Sequence, residues 1–64
     1  MVVVEGWVRL APEDIARFTP AAVEMMRASR AEPGCIDYAF AVEVGQPGLL
    51  RIIEKWKDQA ALDF

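Results

Sequence analysis

LLRIIEKWKDQAALDF, residues 49–64, reads as a strand that turns directly into a helix. Leu49 to Trp56 is apolar and β-branched enough for a strand, and Trp56 sits at the junction. Lys57-Asp58 marks the exit, with Asp58 suited to cap a helix that starts at Gln59 and runs toward Phe64. Just upstream, CIDYAFAVEV (Cys35 to Val44) alternates with period two. Ile36, Tyr38, Phe40, Val42 and Val44 fall on one face, and Cys35, Asp37, Ala39, Ala41 and Glu43 on the other. Gly45-Gln46-Pro47-Gly48 between the two runs is rich in turn formers, which predicts an antiparallel hairpin.

Working back toward the start, Glu32-Pro33-Gly34 stops a helix, because Gly34 accepts a left-handed backbone and Pro33 cannot continue the coil. That helix opens at Pro12, with Glu13 and Asp14 at the positive end of its dipole. Thr19-Pro20 either restarts it, with Thr19 as cap, or kinks a single helix running from Pro12 to Ala31. Ile15, Phe18, Ala22, Val23, Met26 and Ala28 lie near one stripe, and Met25 and Met26 read as gap-filling core. Val2 to Leu10 is the first strand. Val2, Val4, Gly6, Val8 and Leu10 make a small apolar face, and Val3, Glu5, Trp7 and Arg9 make the other. Substance on both faces predicts a central place in the sheet, and Gly6 marks a bulge or a close approach.

The order β-α-β-β-α is α+β and matches the first five elements of a ferredoxin-like β-α-β-β-α-β unit. The sixth, with most of the last helix, would lie beyond Phe64, so a shortened form of a longer parent is expected. The whole is one domain, residues 1–64.

Composition narrows the function classes. Of 64 residues, 55% are hydrophobic, more apolar material than one small core consumes, which points to a second copy of the chain as partner. Net charge is −3 with the basic residues scattered, so nucleic acid is disfavoured. No apolar run reaches the roughly 18 residues a membrane helix needs. A single cysteine, Cys35, fits a reducing cytoplasm. With no histidine and one cysteine, a zinc site is nearly excluded, and acid–base work falls to carboxylates, Tyr38 or water.

Three segments together resemble a known family: Glu32-Pro33-Gly34-Cys35-Ile36-Asp37-Tyr38, Ile53-Glu54-Lys55-Trp56, and Ala60-Ala61-Leu62 just behind the tryptophan. In order and spacing they are similar to the antibiotic biosynthesis monooxygenase domain family of the dimeric α/β-barrel superfamily. The resemblance implies a ferredoxin-like fold whose sheets pair face to face across a homodimer. It also implies cofactor-independent oxygenation of small aromatic, quinol-type compounds, in which the deprotonated substrate itself passes an electron to dioxygen. Such a protein supplies an apolar pocket, a proton acceptor and dipoles that stabilise the anion. Trp56 matches a pocket tryptophan of a quinol-type member. The asparagine that member carries four residues earlier is Ile52 here, and its tyrosine six residues later is Leu62. An arginine of that set, and a histidine common in the wider family, would fall past Phe64. Haem degradation, known among related proteins, fits less well because the chain has no histidine.

Glu54 and Trp56 leave one face of their strand, two residues apart, and are the catalytic candidates. On a barrel interior Glu54 would be a partly buried proton acceptor, and otherwise an ion-pair partner of Arg9 or Arg51. Trp56 is a core staple, a wall for a flat substrate, or both. Tyr38 could hydrogen-bond a substrate oxygen, or simply belong to the core. Trp7 and Arg9 form a second pair of pocket candidates, and Ile52 and Leu62 complete the substrate-binding set. The rival reading is a non-catalytic binding or dimerisation module, favoured by the apolar residues at positions 52 and 62.

Overall fold

In the computed structural model, which describes residues 1–63, β1 (Val2–Arg9), α1 (Pro12–Arg30), β2 (Cys35–Glu43), β3 (Gln46–Trp56) and α2 (Gln59–Asp63) follow one another in the expected order. The strands form one antiparallel sheet in the order β1-β3-β2. The fold is α+β and ferredoxin-like. Phe64, expected at the end of the last helix, lies outside the described residues.

β3 is therefore the central strand and β1 an edge among the described strands, the reverse of the expectation from the two-faced pattern of β1. The β1–β3 ladder is unbroken from Val2↔Trp56 to Arg9↔Leu49. Gly6 thus sits in a regular ladder opposite Ile52, and marks a close approach rather than a bulge: a Cβ there would lie 3.3 Å from Ile52 Cγ2. The hairpin turn is shorter than its turn-forming residues suggest. Only Val44 and Gly45 form it, and Gln46, Pro47 and Gly48 already belong to β3. Pro47 is tolerated because the β2–β3 register jumps between Val42↔Leu50 and Glu43↔Gln46, so no ladder bond is asked of its nitrogen.

α1 is one helix with Pro20 inside it, not two. Pro20 removes the bond to the carbonyl of Ala16, while the Thr19 hydroxyl donates to the carbonyl of Ile15 at 2.9 Å. Its inward stripe is Ile15, Phe18, Ala22, Met26 and Ser29. Val23, Met25 and Ala28 are exposed, so of the two adjacent methionines only Met26 fills the core. α2 begins as its cap residue dictates: the Asp58 carboxylate accepts from the Ala61 N–H at 2.8 Å.

The alternation of β2 is interrupted at its start. A register shift between Cys35 and Asp37 bulges Ile36 out, leaving it 56% exposed, and Cys35 takes its place against the core of Tyr38, Trp56 and Ala61. The Arg30 Nε donates to the Tyr38 carbonyl at 2.9 Å, tying the end of α1 to the strand just past this bulge. Val44, expected on the same apolar face, lies fully exposed in the turn.

Candidate functional site

Residues paired across antiparallel strands project to the same side, so the register sorts the candidates. One row of the sheet is Val4, Glu54 and Tyr38, and the next is Gly6, Ile52 and Phe40. The row after that is Val8, Leu50 and Val42. Successive rows are about 7 Å apart. This is the side both helices cover: Phe18 of α1 meets Phe40 edge-on at 5.5 Å between ring centres, and Met26 and Leu62 pack against the Tyr38–Trp56–Ala61 cluster. Glu54, Trp56, Tyr38, Ile52 and Leu62 are thus gathered on the helix-covered side of the sheet. Trp7 and Arg9 project from the opposite side, where the Arg9 guanidinium lies 5.7 Å from the centre of the Trp7 ring and Trp7 is 63% exposed.

Trp56 is 4% exposed, and its indole N–H donates to Glu54 Oε1 at 3.0 Å. A buried indole N–H needs an acceptor, and two residues along an extended strand brings the carboxylate to it. The ion pairs considered for Glu54 do not form. Arg9 donates to Gln46 Oε1 at 2.9 Å, and Arg51 donates to Glu43 Oε1 at 3.0 and 2.7 Å through Nε and an Nη. Gln46 in turn donates to Glu43 Oε2 at 2.8 Å, closing a polar chain at the hairpin end of the sheet. Both arginines are committed there, and Glu54, half-buried, is left with the tryptophan.

Tyr38 lies directly opposite Glu54 and is buried. Burial pushes its phenol above the usual value, the Glu54 charge adds to the rise, and Ser29 beside it opposes it. Burial likewise raises the Cys35 thiol, reinforced by the charges of Asp37 and Glu32, so it is held as the unreactive thiol. Among the described residues, no group of three or more cysteine or carboxylate side chains converges to hold a metal ion.

Next to the Glu54 row is a hollow of about 260 Å³, lined by Gly6, Trp7, Val8, Phe40, Leu50, Arg51 and Ile52. A closed cavity of roughly 150 Å³ accommodates benzene, so this open hollow has at least the volume of a single ring. The missing side chain of Gly6 keeps its floor open. A second hollow of about 200 Å³, between α1 and the sheet, shares Phe40 and Leu50 as a wall. Trp56 lines neither of them. Gly6 and Phe40 line this hollow, though the pattern alone assigns them to the backbone and the core. The glycine in mid-strand was the available signal for the first, and nothing in the alternation of β2 distinguished Phe40 from its neighbours.

The model of the family described as antibiotic biosynthesis monooxygenase matches residues 1–64. The chain is 34% identical to the Bacillus subtilis (strain 168) protein named "Putative monooxygenase YcnE", over 100% of this chain and 67% of that one. It superposes on a conserved protein from Methanosarcina mazei Go1 with a TM-score of 0.88 at 31% identity, covering 95% of this chain and 60% of that one. A Deinococcus radiodurans protein described as a "putative antibiotic biosynthesis monooxygenase" gives a TM-score of 0.89 at 30% identity, covering 98% of this chain and 62% of that one. The chain thus spans about three fifths of the length of these two structures. Among the described residues no helix is long and apolar enough to cross a membrane.

Proposed function

The chain belongs to the antibiotic biosynthesis monooxygenase family, and from that premise we propose that it oxygenates a small phenolic or quinol-type ring without a cofactor, with Glu54 as the proton acceptor. The observation that carries this reading is a half-buried carboxylate, without a salt bridge among the described residues, one row from an apolar hollow of about 260 Å³. The ring lies over Gly6 and Ile52, and its hydroxyl reaches toward Glu54 and Tyr38.

The chemistry balances with dioxygen alone. Glu54 takes the hydroxyl proton, and the phenolate passes one electron to dioxygen. The radical pair joins at a ring carbon to give an organic peroxide, which loses water and leaves a carbonyl. The substrate loses two hydrogens and gains one oxygen, and the second oxygen departs as water. An apolar floor favours a flat ring, and Tyr38, held protonated, donates to the substrate oxygen as charge develops there. Leu62 closes the core behind Trp56. The helix-free face, with Trp7 and Val3 exposed, pairs with a second copy of the chain.

The test is oxygen uptake with a panel of quinols and anthrones, comparing the protein, Glu54→Gln and a no-protein control. Uptake by the protein that Glu54→Gln reduces at least tenfold supports the proposal. No uptake above the control overturns it.

A further inference from the structure

We infer that Trp56 is a positioning residue for Glu54: its indole N–H holds Oε1 and leaves Oε2 as the oxygen that takes the substrate proton. This rests on the proposed role of Glu54 and adds a division of labour between its two oxygens.

Four observations carry it. Trp56 is 4% exposed, and the two hollows beside the sheet are lined by other residues. Its N–H donates to Oε1 at 3.0 Å, while Oε2 receives no hydrogen bond among the described residues. Arg9 and Arg51 are engaged elsewhere, Arg9 with Gln46 and Arg51 with Glu43, and Arg30 donates to the Tyr38 carbonyl. Finally, Trp56 is itself immobilised, packed against Tyr38 and Ala61 with Cys35 and Leu62 around them. A donor fixed in the core fixes the acceptor it binds.

The titratable and charged groups around the pair come from each neighbouring element. β2 supplies Tyr38 opposite Glu54, with Cys35 and Asp37 at its start. Arg30 closes α1, and Glu32 follows it in the loop. Asp58 caps α2. Tyr38 and Cys35 titrate far above the carboxylate range, so Glu32, Asp37 and Asp58 are the groups a control must separate from Glu54.

The experiment has two arms. In the first, the indole ¹⁵N–¹H resonances of the wild-type chain and Glu54→Gln are followed from pH 3 to 7. Trp56 moves through the carboxylate range in the wild type and stays flat in Glu54→Gln, with exposed Trp7 as internal reference. A Trp56 resonance that is flat in the wild type, or that titrates equally in Glu54→Gln, overturns the inference. In the second, Trp56→Phe keeps the ring and loses the N–H. Its kcat for oxygen uptake falls roughly tenfold, with KM unchanged. An unchanged kcat overturns the inference. If wild-type protein consumes no oxygen while the indole still titrates with Glu54, the oxygenase reading falls and the pairing stands. The first arm needs no folded Trp56 variant.

Discussion

A Cβ placed on Gly34 would lie 2.7 Å from the Cβ of Ala61. Gly34 has φ of 86°, and its carbonyl accepts from the Lys57 N–H at 2.8 Å. The loop after α1 and the start of α2 therefore touch backbone to side chain, directly beside Trp56. Gly34→Ala combines a left-handed alanine with a clash, and should cost about 2–4 kcal/mol. Urea unfolding measures it, and a loss below about 0.5 kcal/mol would show that the loop yields freely.

Tyr38 makes stability fall in alkali. Its folded pKa is raised by burial, with the Glu54 charge adding to the rise, so the folded state holds the phenol proton more tightly than the unfolded chain does. That stability is fully present below the usual value of about 10 and is lost as pH rises through the raised folded value. Thermal melts between pH 8 and 12 should show the decline, and Glu54→Gln should make it smaller, because it removes part of the rise in the folded value.

Glu43 acts at the other end of the scale. The hydrogen bond from Arg51 holds its carboxyl below the usual 4.5. Its contribution is present above that value and is lost as pH falls through the lowered folded one. Exposed pairs are weak and screened by salt, so Glu43→Gln should reduce the acid slope of the melting temperature at low ionic strength and change it little at 1 M salt. Equal slopes for both proteins at low salt would remove the pair from the account.

Gly6→Val should fill the hollow while keeping the fold. Valine suits a strand, and only the Ile52 side chain has to give way, from a contact of 3.3 Å. Binding of a monocyclic phenol, followed by calorimetry, should weaken at least tenfold, about 1.4 kcal/mol, with unfolding free energy changed by less than about 1 kcal/mol. Undiminished binding would place the ligand elsewhere.

Trp7→Glu tests the proposed homodimer. Trp7 is 63% exposed on the helix-free face, and Val3 on the same strand face is 48% exposed. Sedimentation equilibrium should give twice the chain mass for the wild type and the single mass for the variant, because an uncompensated charge in an apolar contact is costly. Equal masses for the two would exclude that face.

Element order, the cap at Asp58, the stop at Gly34 and the hairpin were legible in the chain because each depends on local backbone rules: period two in strands, a side-chain acceptor at a helix start, a residue that tolerates positive φ. The same locality explains the errors. Ile36 and Cys35 exchange places because a bulge shifts the phase of alternation, and periodicity carries no record of such a shift. Among the described strands β3 holds the central position, because sheet order depends on which strands meet in space. Glu54 pairs with neither Arg9 nor Arg51, because the register places both at the hairpin end, bonded to Gln46 and Glu43.

For Glu54 and Trp56, the sequence by itself determined that both side chains share one strand face, since residues two apart in an extended chain must do so. It also carried the family, through segments whose order needs no coordinates. Only the tertiary structure decided that this face is the one the helices cover, that Trp56 is buried and Glu54 half-buried, and that the indole reaches the carboxylate at 3.0 Å. Burial depends on what packs from other elements, and the register of β1 and β2 against β3 is set by long-range pairing that no window of the chain contains.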